Sequence, residues 1–427
     1  MEKILRVVKK LLPKKFFAIL ETPYHFFLAF LGAIIYRFPT QKLTLIGITG
    51  TKGKTTTAEL VNAILEEAGF KTALAGTLRF KIGEKSKPNL FKMTMPGRFF
   101  LQRFFRDAVS AKCTHGIVEI TSEGAKQFRH RFLSLNALIF TNIAPEHIES
   151  HGSYENYLNA KLNIGEQLLR SKKLPKFFIG NKDDSETKKF LELGLLKNSR
   201  LFSIKDAEKI QLSKDGASFF WRQKEIKTKL VGEFNVYNSL AALSLGEAFQ
   251  IPLQKMANAL QNFKGVPGRA EEVRAGQDFT VVVDYAHTPD SLEALYRAYK
   301  SHRKICVLSG TGGGRDKWKR PKMGEIASTY CESIILTDED PYDENPLEII
   351  SDIKKGISNP NVEIETDRRV AISKALKKAE KDNVVLITGK GTDPYIMGQG
   401  GTRTPWSDYG VAREELLELL KAKSYEL

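Results

Sequence analysis

The chain has 427 residues, 42% of them hydrophobic and 27% charged. That composition excludes a disordered or collagen-like chain and leaves room for about three folded units at ~150 residues each. A formal net charge of +16 would suit nucleic acid, an anionic membrane or acidic small substrates, but the basic residues are scattered, without an Arg-rich tail or aromatic–basic repeat, so no nucleic-acid partner is expected.

Residues 1–15 are basic, and the following stretch Phe16–Phe38 is strongly apolar, interrupted by Glu21, Pro23, His25 and Arg37. No small-residue cleavage site follows, which argues against a signal peptide. Three readings remain open for the apolar stretch: packing on the next domain, lying in a membrane interface as a basic amphipathic helix, or spanning a bilayer. The first two are preferred.

Apolar, β-branched runs then alternate with helix-like segments. The runs are Leu43–Ile48, Gly116–Ile120, Ala137–Thr141, Thr280–Asp284, Lys304–Leu308, Ser333–Thr337 and Asn383–Thr388. Continuous apolar strands separated by longer amphipathic stretches predict an α/β fold of βαβ units with a mostly parallel sheet. Each run ends in polar or glycine-rich chain, and ligands of open α/β sheets bind at the carboxyl ends of strands. The segment Phe263–Val273 contains Val-Pro-Gly, which breaks regular structure. The predicted division is a short apolar and basic segment 1–39, a nucleotide-binding domain 40–266 and a Rossmann-like α/β domain 267–427. Cys113, Cys306 and Cys331 are odd in number and share no metal spacing, so they read as reduced thiols.

The first run leads into Gly50-Thr51-Lys52-Gly53-Lys54-Thr55-Thr56. Gly50 and Gly53 let the backbone turn and expose amide groups to phosphate, and the helix expected from Thr56 adds its positive end. Lys54 supplies a point charge, and Thr55 or Thr56 offers a hydroxyl to Mg²⁺. The usual spacing G-x-x-x-x-G-K fails, because the residue five before Gly53 is Ile48.

This shortened loop, "GTKGKTTT", resembles that of the Mur ligase superfamily, and further segments resemble its MurE type. They are "VEITSEGAKQFRHR", "FTNIAPEHIESHGSYENYLNAK", "LVGEFNVYNSLAAL", "GVPGRAEEV", "VVVDYAHTPDSLEAL", "GTGGGRDKWKRPKMGEIA", "DRRVAI" and "GKGTDP", in order from about Thr44 to Glu415. The resemblance implies a P-loop central domain, a C-terminal α/β domain and an ATP-dependent, ADP-forming ligase acting in peptidoglycan synthesis. A carboxylate of a muramoyl-peptide-like acceptor attacks the γ-phosphate of ATP, and the amine of an amino acid displaces phosphate from the acyl phosphate. Anion strikes anion in the first step, so cations must offset the repulsion.

At the matching positions the resemblance implies that Lys54, Glu119, His147 and Lys161 are catalytic. Thr55, Glu119, His147 and a carbamate formed on Lys161 with CO₂ would hold two Mg²⁺ ions. Asn235 and Asn238, beside Phe234, would face adenine, while Arg269, Asp284 and His287 would meet the nucleotide from the last domain, with Lys317 and Arg320 either helping or facing solvent. Thr94, Pro96, Thr121 and Arg129 match acceptor-contacting positions, although Glu123 replaces a histidine of the family pattern. For the incoming amino acid, the family's D-N-P-R becomes Asp340-Pro341-Tyr342 after Glu339, and the last residue of G-K-G-H-E becomes Asp393. Tyrosine cannot replace the arginine's charge, and Asp338, Asp343 and Glu344 favour a cation. L-lysine is therefore preferred over diaminopimelate, with Arg368 and Lys390 available for the α-carboxylate.

Family members carry a domain before the loop that holds uridine diphosphate, whereas 48 residues precede Thr49 here. A related ligase with a non-UDP or lipid-linked acceptor, including a folylpolyglutamate-type enzyme, is the rival within the class. A non-catalytic, membrane-associated nucleotide-binding regulator is the rival outside it. The expected protein is a cytoplasmic monomer, with peripheral contact to the inner face of the membrane through residues 1–38.

Overall fold

The computed structural model describes the backbone of residues 14–146 and 148–425, and the side chains of 22–146 and 148–422. His147 lies outside the described residues. The chain forms two compact units: Met1–Ile143, Glu155–Phe202 and Ala241–Pro252 make the first; Ala144–Tyr154, Ser203–Leu240 and Leu253–Leu427 make the second.

The first unit is built on eight strands: β1 (Thr44–Thr49), β2 (Thr72–Ala75), β3 (Arg79–Ile82), β4 (Lys85–Pro88), β5 (His115–Glu119), β6 (Ala137–Phe140), β7 (Phe177–Asn181) and β8 (Ser199–Phe202). Their order is β4-β3-β2-β5-β1-β6-β7-β8. All neighbours are parallel except the β2–β3 and β3–β4 pairs. The central strands are apolar because helices cover both faces. Leu45, Val118, Ile120, Leu138 and Phe140 share a core with Phe105, Ile164 and Phe178. β1 lies between β5 and β6, and the register sets Ile48 opposite Glu119 and Thr49 opposite Phe140. The chain leaves β1 toward β2 on one side and reaches β6 on the other, so the end of β1 is a switch point, the usual place for a ligand.

The helix Lys14–Ile35 holds most of the apolar stretch of the N-terminal region. Ala29, Gly32 and Ala33 are buried, and Gly32 lies against Phe99 of helix Arg98–Ser110. Phe26 and Phe30 pack against Phe132, while Phe27, Ile34 and Ile35 stay exposed. Among the described residues no helix is long and apolar enough to cross a membrane, so packing on the first unit replaces the spanning reading.

In the second unit, β9 (Glu208–Ser213), β10 (Gly216–Trp221) and β11 (Lys224–Thr228) form an antiparallel sheet. A second sheet has the order β12-β13-β17-β14-β15-β16, from β12 (Glu271–Glu272), β13 (Thr280–Asp284), β14 (Lys304–Ser309), β15 (Ser333–Thr337), β16 (Val362–Ile364) and β17 (Val384–Thr388). Only β12 runs antiparallel to its neighbour. Alternate residues serve opposite faces, as the strand period of two requires. Val282, Leu308, Leu336 and Leu386 join one core, and Val281, Val307, Ile335 and Val385 the other. A short ribbon, β18 (Tyr395–Met397) with β19 (Arg403–Pro405), precedes the last helix, Asp408–Tyr425. All seven predicted runs are strands.

The cysteine reading is corrected. Cys306 on β14 and Cys331 after helix Lys319–Tyr330 are joined by a disulfide, their Cα atoms 6.1 Å apart. Spacing in sequence could not show this, because the strand and the helix end meet only in the folded sheet. Cys113 is free and buried, donating to the carbonyl of Thr72.

Candidate active site

In the first unit the loop after β1 is made by its glycines. Gly50 has φ of 148°, and a Cβ there would stand 1.9 Å from Thr141 Oγ1, so neither the backbone nor the space admits a side chain. Gly53, at φ of 81°, caps helix Lys54–Glu67 without a side-chain bond, and the amino end of a helix favours an anion. The loop is docked on the end of β6: Thr51 N donates to Asn142 O at 2.8 Å, Lys52 N to Asn142 Oδ1 at 2.9 Å, and Thr141 Oγ1 to Lys52 O at 2.6 Å. Thr51 is further tied to the Tyr157 hydroxyl at 2.7 Å. Lys54 curls back, its Nζ donating to Gly50 O at 2.8 Å and Thr51 O at 2.9 Å. Thr56 is buried in the helix.

Glu119, 1% exposed at the end of β5, receives three hydrogen bonds. Thr55 Oγ1 donates to Oε2 at 2.9 Å, Thr77 Oγ1 to Oε2 at 2.8 Å and Thr77 N to Oε1 at 2.7 Å. Thr77 Oγ1 also meets Thr94 Oγ1 at 2.9 Å. A chain of hydroxyls thus links the phosphate-loop helix, the carboxylate and Thr94. Lys161, on helix Tyr154–Arg170 and 1% exposed, donates from Nζ to Gly50 O at 2.7 Å, with its ammonium 4.8 Å from the Tyr157 ring centroid. Asp184 feels the charge of Lys161, while burial pushes its carboxyl above the usual range. Among the described residues no three His, Cys, Asp or Glu side chains gather as a metal site. The donor set here is a hydroxyl beside a carboxylate, hard oxygens that fit Mg²⁺.

Of the residues expected to meet the acceptor, Thr121 caps helix Ser122–Lys126, its Oγ1 accepting from Gly124 N at 3.0 Å. Arg129 donates to Met95 O, next to Pro96, and to Gln127 Oε1 at 2.7 Å.

The second unit holds the other predicted residues. Asn238 Nδ2 donates to Asn235 Oδ1 at 2.9 Å, and Asn235 Nδ2 to Val231 O at 2.9 Å. Asp284, at the end of β13, accepts from Ala270 N and Ala286 N, each at 2.6 Å, and burial raises its carboxyl despite Arg269 and His287. The Arg269 guanidinium lies 4.4 Å from the Tyr285 ring centroid. His287 meets Tyr285 O at 2.7 Å through Nδ1 and Glu146 at 3.4 Å through Nε2.

Two residues expected at the amino-acid site have acidic protein partners. Arg368 is buried, with its Nε and Nη2 on the carboxylate of Asp408 at 2.8 and 2.7 Å. Its remaining contacts go to Ser309 Oγ, Asp338 O and Thr388 O. It braces the ends of β14, β15 and β17. Lys390, wholly buried, donates to Asp340 Oδ1 at 2.7 Å. Asp393 lies 3.5 Å from the same ammonium. Lys390 therefore neutralises acidic side chains of the loop. Arg320 is likewise buried, spanning Glu344 at 3.0 Å and Asp352 at 3.1 Å, while Lys317 stays exposed against Glu344 at 3.1 Å.

The loop after β15 concentrates carboxylates. Glu339 accepts from Ser309 Oγ at 3.0 Å and Thr311 Oγ1 at 2.9 Å. Burial raises the carboxyl of Asp338, and Asp343 accepts from Gly400 N at 2.8 Å. Tyr342 sits at φ of 54°, its N donating to Met397 O at 3.0 Å. Its ring lies so close to Gly313 that a Cβ there would be 2.7 Å from Tyr342 Cδ2.

Thr77, Tyr157, Asp184, Tyr285 and Asp408 escaped the sequence reading. Thr77, Tyr157, Asp184 and Asp408 matter through partners far away in sequence, whereas Tyr285 lies inside a motif that was read for its neighbours Asp284 and His287. Asn142 was legible in principle, since Thr-Asn directly follows a predicted strand.

A phosphate loop at a sheet switch point, a carboxylate and hydroxyl beside it, and a second parallel-sheet unit define an ATP-type phosphate-handling α/β protein. Residues 48–246 match the Mur ligase middle domain and residues 268–391 the Mur ligase glutamate ligase domain. The chain is 36% identical over 418 residues to a UDP-N-acetylmuramyl-tripeptide synthetase of Roseiflexus sp., covering 92% of this chain and 82% of that protein. It is also 36% identical over 396 residues to a UDP-N-acetylmuramoyl-L-alanyl-D-glutamate–2,6-diaminopimelate ligase of Halalkalibacterium halodurans, covering 90% and 80%. A solved structure of such a diaminopimelate ligase aligns with a TM-score of 0.62 at 27% identity, covering 91% of this chain and 82% of that one. The chain belongs to the Mur ligase family.

Proposed function

We propose that the protein is an ATP-dependent, ADP-forming ligase of the MurE type, joining a muramoyl-peptide carboxylate to the amine of an amino acid in peptidoglycan synthesis. The observation that carries the reading is the Thr55–Glu119 pair at the phosphate loop, continued through Thr77 to Thr94. Loop amides and the open helix end would receive the phosphates. Thr55 and Glu119 would hold Mg²⁺, which when bound supplies the positive charge that lets one anion approach another. His147 and a carbamate on Lys161 complete the proposed donor set. The carbamate is supported by the burial of Lys161 against the loop carbonyl of Gly50, because it turns a cation into an oxygen donor where a second metal needs one. Asn235, Asn238, Arg269, Asp284 and His287 are the proposed nucleotide contacts of the second unit, and Thr94, Pro96, Thr121 and Arg129 the acceptor contacts. The division into 1–39, 40–266 and 267–427 is carried forward in this proposal.

For the amino acid, Tyr342 with Asp338 and Asp343, beside the Lys390-paired Asp340 and Asp393, favours a cationic side chain, and L-lysine is the proposed substrate over diaminopimelate. Phosphate release measured with each amino acid, with and without the acceptor, tests both claims. Release that needs acceptor and lysine together is expected. Release without either substrate would refute the ligase, and release with diaminopimelate alone would refute the specificity.

The site is proposed to work in the cytoplasm at the inner membrane face. Phe27, 59% exposed, with Ile34 and Ile35 on the same helix, follows a basic segment, a combination complementary to an anionic bilayer. Pelleting with anionic vesicles that is unchanged by deleting residues 1–40 would refute that placement.

A further inference from the structure

Two arginines of the first unit stand together, without a carboxylate partner among the described residues. Arg98 opens helix Arg98–Ser110 and donates to the carbonyl of Gln127 from Nε at 3.1 Å and from Nη2 at 2.7 Å. Arg129 donates to the side-chain oxygen of the same Gln127 at 2.7 Å. Gln127 thus holds one guanidinium at each of its two carbonyl groups. His25, reaching over from helix Lys14–Ile35, lies 2.6 Å from Arg98 Nη2 through Nδ1. An arginine can only donate, so Nδ1 accepts and Nε2 carries the proton of the neutral ring. Among the described residues neither arginine forms an ion pair, and the buried Nε of Arg129 has no hydrogen-bond partner. Glu123 acts on Arg129 through space only.

Half-buried guanidiniums normally recruit carboxylates, so an unpaired pair is costly unless a ligand completes it. Burial, and then the field of Arg129, lowers Arg98 to about 10. A second observation points the same way. The helix that begins at Arg98 has no side-chain cap and no acidic residue in its first turn, and a Cβ on its N-cap Gly97 would meet nothing within 4 Å. The amino end of this helix therefore adds its partial positive charge beside the cations.

We propose that Arg98 and Arg129, with His25 and the amino end of helix Arg98–Ser110, form an oxyanion site for a phosphate or diphosphate ester, distinct from the phosphate loop. Planar guanidinium forks match phosphate oxygens, and Arg98 is the fork presented at the helix end. The site lies on the acceptor side of the proposed reaction, and it rests on that reading only for the source of the phosphate. The N-terminal helix thereby gains a role in the first unit, that of holding Arg98 in place through His25.

The test uses the full chain with its phosphate loop saturated by ADP and Mg²⁺, titrated calorimetrically with inorganic pyrophosphate. Wild type is expected to bind pyrophosphate at a further site, and Arg98→Gln to weaken that binding about tenfold or more, the loss of one charge-assisted fork. Arg98→Lys, which keeps the charge without the fork, is expected to fall between. Failure of the wild type to bind beyond the nucleotide site, or equal binding by Arg98→Gln, overturns the proposal. The wild-type titration decides even if Arg98→Gln does not fold, and it reads the site whether or not any acceptor is turned over. Two further arms assign the source. A raised KM for a nucleotide-linked acceptor, with unchanged KM for ATP and for the same peptide lacking diphosphate, assigns the acceptor. Weakened binding to phosphatidylcholine vesicles containing phosphatidylglycerol, but not to vesicles without it, assigns a lipid headgroup.

Discussion

The hydroxyl of Thr55 donates to the carboxylate of Glu119 at 2.9 Å, although the two residues are 64 positions apart. Parallel pairing of β1 with β5 makes this contact, by bringing the phosphate-loop helix and the end of β5 to one edge of the sheet. Glu119→Gln keeps the shape and removes the charge. Phosphate release is expected to fall about 100-fold or more, the scale of a lost transition-state electrostatic contact. ADP binding in the absence of Mg²⁺ should change little. Turnover within a few-fold of wild type would remove Glu119 from the metal set. Thr77→Val, which leaves Glu119 in place without one of its donors, is expected to cost about tenfold, as for other residues that orient a metal ligand.

Lys161 is tested by its chemistry as well as by its activity. In ¹³C-bicarbonate the wild type should show a carbamate carbon resonance that Lys161→Ala lacks. Lys161→Ala should be inactive and regain part of its turnover with added short carboxylates, which supply the missing oxygen donor. A wild-type spectrum without the resonance, together with no rescue, would leave Lys161 as a plain cation on the loop carbonyl.

Tyr342→Arg adds a positive charge to the loop proposed to bind the amino acid. The variant is expected to lose activity with L-lysine and gain it with diaminopimelate, because an arginine fork can pair with the distal carboxylate. An unchanged preference, read as kcat/KM for the two amino acids, would place specificity elsewhere.

Arg368 and Asp408 form a buried bidentate pair. Asp408→Asn strands the guanidinium, and breaking such a pair costs about 3–5 kcal/mol. The urea unfolding midpoint should drop accordingly. A raised KM for the amino acid with unchanged stability would instead support Arg368 as a substrate contact.

His130 is buried, and burial lowers it from 6.5 to about 3. Its folded value lies below its unfolded one, so in that window the unfolded chain takes up a proton that the folded chain refuses. Stability should therefore fall as pH drops from about 6.5 to 3, following the linkage relation. His130→Leu is expected to flatten that slope, measured by unfolding at a series of pH values. An equally steep slope in the variant would show that His130 carries none of it.

The sequence by itself determined the strands that line both units and the shortened phosphate loop. Continuous β-branched runs have nowhere to go but a covered parallel sheet, and Gly50 cannot be replaced where its φ and its neighbour Thr141 leave no room. Glu119 was legible because it ends such a run. Short or exposed strands such as Lys85–Pro88 and Glu208–Ser213 carried no apolar signal and were missed. The tertiary structure alone decided the partners: Asp408 took Arg368, Asp340 took Lys390, and Cys331 took Cys306. A residue type and its local spacing state which charge or thiol is present. Whether another residue has already satisfied it depends on which distant strand ends the sheet brings together, and no local pattern encodes that.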